Sequence, residues 1–119
     1  MFSFTFDKIA DQLIAKKKSG CEVLVIADAS REGNENDQIP KLKQHGIAVR
    51  ERSPNSDNRH NPKMHNKFVV VDKKLVVHGS LNWTLSAVLH NYETAVISSE
   101  KSLVRDFRKQ FDHLWLALE

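Results

Sequence analysis

Apolar residues recur at helical spacing between Asp7 and Lys18, with Ile9, Ala10, Leu13 and Ile14 on one side; a lysine run and Gly20 mark the end of that helix. Glu22 to Ala27 (EVLVIA) is a short, nearly continuous apolar run and predicts a strand buried on both faces. Residues 28–38 are polar and turn-rich and read as a loop. Asp37 then caps a short helix through Gln44, with Pro40 tolerated in its first turn and Gly46 after its end. Ile47 to Arg52 alternates apolar and charged residues as an edge strand does, and Ser53 to Lys63 is a loop with two prolines. Met64–Val71 and Leu75–His78 predict two strands joined by the tight turn Asp72-Lys73-Lys74. Beyond a break at Gly79–Asn82 the pattern predicts a short helix near Leu85–Leu89 and a strand over Tyr92–Ser98. Ser99 then caps a last helix with Leu103, Phe107, Phe111, Leu114 and Leu118 on one side. This order predicts an α/β fold, a mixed β-sheet flanked by helices, in a single domain over residues 1–119 without internal repeats.

At 119 residues, 40% apolar and 28% charged, the chain is long enough for one core and too apolar for disorder. No apolar run approaches the roughly 18 residues of a membrane span. The N-terminal MFSFTFDKIADQL lacks a basic stretch before an apolar one, so neither signal peptide nor membrane anchor is visible and a cytoplasmic location is expected. Cys21 stands alone, which excludes an internal disulfide framework and a cysteine-based zinc ribbon. It reads as a small filler beside the buried strand. His45, His60, His78, His90 and His113 lack paired metal-ligand spacing. The net charge is +3, but residues 41–74 hold an excess of six positive charges. That basic middle is either a face that meets an anion such as a phosphate backbone or a solvated basic surface.

One segment carries chemistry. His65-Asn66-Lys67-Phe68-Val69-Val70-Val71-Asp72 is followed, six residues on, by Gly79-Ser80-Leu81-Asn82-Trp83-Thr84. His65 and Lys67 lie two apart on a predicted strand and so share a face. A lysine beside an imidazole holds a phosphate while the ring attacks phosphorus or gives up a proton. Gly79 permits close backbone approach, and Ser80 and Asn82 add neutral hydrogen-bond donors. The set reads as a phosphate cradle with a candidate nucleophile.

These residues resemble the HxK(x)4D(x)6GSxN signature of the phospholipase D superfamily, with every fixed position present. The flanking Asn91-Tyr92-Glu93, the N-terminal helix and strand, and the terminal RDFRKQFDHLW resemble the family as well, so the likeness covers nearly the whole chain. The short members with a single motif are most similar, the bacterial Nuc-like endonuclease type related to Zucchini-like proteins. Because an active site in that family needs two facing motifs, the resemblance implies a half-module that dimerises into a homodimer. It also implies that His65 forms a phosphohistidine while His65 of the partner protonates the leaving oxygen. Lys67 and Asn82 would bind the nonbridging oxygens, Ser80 would hydrogen-bond within the site, and Glu93 would orient His65. Asp72 and Gly79 are structural parts of the motif. No metal or other cofactor is required. Family members begin with a further strand and helix, of which Met1 to Phe6 would be a remnant strand, and loss of a strand leaves an open sheet edge.

Arg59, His60 and Lys63 precede the motif and either line a substrate groove or form a solvated loop. Trp83 either stacks on a base or packs in the core, the latter being the simpler reading, and Phe107, Phe111 and Trp115 read as core or dimer contacts. The leading expectation is a metal-independent phosphodiesterase, an endonuclease acting on single-stranded DNA or RNA without sequence preference. A phospholipid (cardiolipin-type) hydrolase and a noncatalytic nucleic-acid-binding or assembly subunit are the alternatives. A membrane partner is not expected, since no amphipathic membrane helix is visible.

Overall fold

A computed structural model describes residues 1–29, 33–53 and 61–118. Arg59 and His60 lie outside the described residues. Helix α1 spans Asp7–Lys18, as its apolar spacing requires, and strand β1 spans Leu24–Asp28, buried nearly throughout. Helix α2 (Ile39–Gln44) then carries the chain back to β2 (Ala48–Arg52), which pairs parallel to β1 from Leu24↔Ala48 to Asp28↔Arg52. A parallel pair needs such a crossover, and α2 supplies it. Asp37 does serve the start of α2, accepting the Ile39 N–H at 3.1 Å, although Gln38 is the capping position. Phe4, Ala10, Ile14, Val25, Ala27, Ile39, Leu42 and Ile47 form the core between these helices and strands. Leu42 is fully enclosed, so truncating it to alanine removes about 2–5 kcal/mol.

The second half is an antiparallel meander, β3 (Phe68–Val71), β4 (Leu75–Gly79) and β5 (Ala95–Ser98), interrupted by helix α3 (Leu85–Leu89). The β3–β4 turn closes with the Lys74 N–H on the Val71 carbonyl at 2.9 Å, and Asp72 and Lys73 both take left-handed φ values of 51° and 55°. An aspartate tolerates that region, which places Asp72 as a turn residue on the surface. Helix α4 (Lys101–Ala117) packs on β3 and β4, where Phe107 meets Phe68 edge-on at 5.0 Å and stacks on His78 at 4.8 Å. Phe111 and Trp115 stack on each other at 5.8 Å, and Arg50 lies over the Trp115 ring.

Several expectations need correction. The cap of α4 is Glu100, whose carboxylate accepts the Leu103 N–H at 2.7 Å; Ser99 is one residue too early. β5 begins at Ala95, not Tyr92. Cys21 is exposed and fills nothing. The fold is the expected α/β one, with its described strands pairing as β1–β2 and β3–β4–β5. Met1–Phe6 is not a strand: it makes one parallel bridge, Phe4 to Trp83. As a result β1 and β3 each keep an edge without a strand partner among the described residues. A cavity of about 430 Å³ lies between them, walled by Leu24, Val25 and Ile26 on one side and Phe68–Val71 on the other. The Met1 amine reaches into that region and donates to the Ile26 carbonyl at 2.5 Å.

Candidate active site

His65 and Lys67 do not sit on a strand, because β3 begins one residue after Lys67. Their side chains nevertheless meet. The Lys67 Nζ lies 3.2 Å from His65 Nδ1 and 3.4 Å from Nε2, and it donates to the His65 carbonyl at 2.8 Å. The main chain here is tied to β4 through the Gly79 N–H, which reaches the Lys67 carbonyl at 3.3 Å. His65 is exposed, so its ring is open to a substrate while Lys67 is partly covered. Burial lowers the Lys67 pKa below the usual lysine range, and the Glu93 carboxylate partly restores it.

Gly79 brings the next set of groups into place. Its φ of 153° suits glycine, and a Cβ there would stand 2.0 Å from the Thr94 carbonyl oxygen. That close approach lets the Ser80 N–H donate to the Thr94 carbonyl at 2.9 Å and the Thr94 N–H to Ser80 Oγ at 3.0 Å. The Ser80 hydroxyl donates in turn to the Glu93 carboxylate, whose other oxygen accepts from Asn91 Nδ2 at 3.2 Å. These hydrogen bonds, Ser80 first and Asn91 second, hold Glu93 below the ordinary carboxylate range, with Lys67 adding to the effect and desolvation opposing it. Glu93 thus engages Ser80, Asn91 and the Lys67 charge.

The N-terminal segment belongs to the site, which the sequence pattern did not reveal. Phe2 is buried and its ring packs on His65 with centroids 4.7 Å apart, while the Lys67 and Lys63 ammonium groups lie 5.6 and 5.7 Å from its centre. Lys63 therefore stands beside Phe2. The Ser3 N–H donates to Asn82 Oδ1 at 3.2 Å, which leaves the Asn82 NH2 group as the donor available to an anion. Alternation of aromatic and small residues in Met1–Phe6 was the available signal for this burial. Trp83 packs against the core, edge-on to Phe4 at 5.0 Å, rather than standing open as a stacking platform. Among the described residues no group of three or more His, Cys, Asp or Glu stands together as a metal-ligand set.

The arrangement can place an exposed imidazole against phosphorus, with an ammonium and an amide NH2 toward the nonbridging oxygens. Comparisons with known proteins give the chain's family. Residues 1–115 match the family profile described as cardiolipin synthase, PLD-like domain. A Chlamydomonas reinhardtii protein named mitochondrial cardiolipin hydrolase is 35% identical over 115 residues, covering 97% of this chain and 49% of that protein. The chain thus spans about half the length of the curated relatives it matches. Nuc from Salmonella typhimurium, described as a phospholipase D family member, superposes with a TM-score of 0.82 at 30% identity, covering 99% of this chain and 76% of that one. NucT from Helicobacter pylori gives a TM-score of 0.88 over 99% of this chain and 77% of that one; at 22% identity the likeness is one of fold. No helix among the described residues is long and apolar enough to cross a membrane.

Proposed function

This chain belongs to the phospholipase D-like domain family, a family of phosphodiester hydrolases, and from that premise we propose that it is a metal-independent endonuclease working as a homodimer. The observation that carries the reading is the contact of the Lys67 ammonium with the His65 ring at 3.2 Å, a cation held beside the imidazole so that it can bind a phosphate oxygen while the ring attacks. In the first step a His65 nitrogen bonds to phosphorus and the P–O bond to the leaving strand breaks. The leaving oxygen takes its proton from His65 of the partner subunit. In the second step that same imidazole accepts a proton from water, the water oxygen bonds to phosphorus, and the N–P bond breaks, returning both rings to their starting states. Lys67 and Asn82 hold the nonbridging oxygens throughout, and Glu93, kept ionised by Ser80 and Asn91, sustains the Lys67 charge.

Two features support the choice of nucleic acid and of a dimer. The excess of six positive charges within residues 41–74 suits a sugar–phosphate backbone and provides no means of reading bases. A single motif makes half a site, and Leu85, Leu89, Tyr92, Val96 and Ile97 present exposed apolar surface along the chain that runs from Asn82 past Glu93 into β5. A second copy would cover it. The same apolar set, with the names of the relatives, favours a second reading in which it meets phospholipid and the substrate is cardiolipin-like. A cytoplasmic location rests on the N-terminal residues alone, whereas those relatives carry mitochondrial names.

The test is cleavage of labelled single- and double-stranded DNA and RNA in excess EDTA, beside cardiolipin-containing vesicles, with His65→Ala in parallel. Chelation-resistant cleavage of nucleic acid that vanishes in the variant supports the nuclease. Turnover of the vesicles alone transfers the mechanism to lipid. A dimer that binds oligonucleotides and turns over neither substrate leaves a noncatalytic binding subunit.

A further inference from the structure

His65 lies in an irregular stretch, residues 61–67, between the end of one sheet and the start of the other. Its downstream side is fixed, since the Lys67 carbonyl accepts from Gly79 and β3 follows. The upstream side needs an anchor of its own. Two residues facing each other in the β1–β2 ladder supply it: Asp28 and Arg52, the paired last residues of their strands. The Asp28 Oδ2 accepts the Met64 N–H at 2.6 Å, and Arg52 Nη2 donates to Asn61 Oδ1 at 2.5 Å.

We propose that Asp28 is a positioning residue for His65, acting through the Met64 main chain. This rests on the catalytic role of His65 given above. Asp28 is 3% exposed and Met64 6%, so the bond between them is shielded from water. A buried carboxylate is costly unless hydrogen bonds compensate it, and a charged acceptor holds an amide more firmly than a neutral one. Met64 adjoins His65 in the chain, so holding its nitrogen limits the travel of the His65 Cα. Phe2 limits the ring from the side at 4.7 Å. Asp28 acts here through the Met64 amide. Its effect is on geometry, to which attack at phosphorus is steeply sensitive.

Asp28→Ala removes the acceptor, and Asp28→Asn keeps an oxygen of the same reach. The full chain carrying each is assayed on a labelled oligonucleotide, with kcat and KM separated. In the same preparations the His65 imidazole is followed by nitrogen-15 NMR, with His113 on α4 as the internal control. Asp28→Ala is expected to lower kcat by roughly 10- to 100-fold with KM within about threefold, and to shift or broaden the His65 signals while those of His113 stay put. Asp28→Asn is expected to restore most of both. Unchanged His65 signals in Asp28→Ala overturn the proposal, as does a normal kcat. Should Asp28→Ala fail to fold, Asp28→Asn decides: native His65 signals support the acceptor role, and displaced ones overturn it. If the unaltered protein cleaves nothing, the nuclease reading fails, and the NMR comparison still answers for Asp28.

Discussion

Ser3 donates its backbone N–H to the side-chain oxygen of Asn82 at 3.2 Å, across 79 positions of sequence. The bond decides which end of the amide faces outward. With Oδ1 occupied by Ser3, the NH2 group is what a phosphate meets.

Asn82→Asp follows directly from this orientation. The aspartate retains an acceptor for Ser3, so the fold is expected to hold, with Tm within a few degrees. At the outward position a donor becomes an anion facing a phosphate. We expect kcat/KM to fall about 10²-fold or more. Steady-state kinetics beside a thermal melt check this, and a variant with near-normal turnover would remove Asn82 from the anion cradle.

Lys67 sets function against stability. Burial lowers its folded-state pKa beneath that of the unfolded chain. Below the folded value both states carry the proton, and the folded one is penalised by its charge. Between the two values the unfolded state binds more protons, so stability rises with pH through that window. Lys67→Met is therefore expected to raise Tm at neutral pH, with the advantage shrinking as pH climbs toward the usual lysine value of 10.5. The same change is expected to reduce turnover by about 10²–10³-fold. Melts from pH 7 to 10 beside an activity assay read both effects.

Gly79→Ala tests the backbone approach that assembles the Ser80–Glu93 side of the site. The added methyl meets the Thr94 carbonyl oxygen at 2.0 Å and its carbon at 2.9 Å, both main-chain atoms that cannot swing aside, and φ is 153°. The β4–β5 ladder ends at this residue, paired with Ala95, so it must open. A loss of about 2–4 kcal/mol is expected, seen as a lower midpoint in urea. A midpoint matching the unaltered chain would mean that Gly79 tolerates a side chain.

Elements with a strong local signature were legible. The α1 spacing and the EVLVIA run each state their structure within a few residues, and the short helix expected near Leu85–Leu89 is α3. The motif was legible for another reason: residue types at fixed spacing single out His65, Lys67, Ser80 and Asn82 as candidates without knowledge of their contacts. What escaped was long-range. Apolar alternation over Met64–Val71 cannot show where a ladder begins, and the ladder begins at Phe68. Asp28 opens a polar stretch and reads as loop, but its carboxylate turns inward to a residue 36 positions away. At Ser99-Glu100 two residues could cap α4, and the longer carboxylate reaches the Leu103 amide. Phe2 and Ser3 serve the site only because the fold carries them to His65 and Asn82.

The proposed dimer has its own arithmetic. In one chain Glu93 is bound to Ser80 and Asn91. If each catalytic cycle needs His65 from both subunits, a dimer with one His65→Ala subunit should be inactive. Unaltered and His65→Ala chains, mixed in equal amounts and allowed to exchange, then leave about one-quarter of the dimers with two intact rings. Activity is expected to fall to about one-quarter of the unmixed value for the same total protein, and to follow the square of the intact fraction across a titration. A linear dependence would mean that each protomer works alone. Leu89→Glu is the companion variant: Leu89 is 63% exposed on α3 and lies in the apolar set assigned to the interface. A charge there should yield a folded monomer with little turnover, read by light scattering and the cleavage assay together. A Leu89→Glu chain that stays dimeric would place the interface elsewhere on the surface.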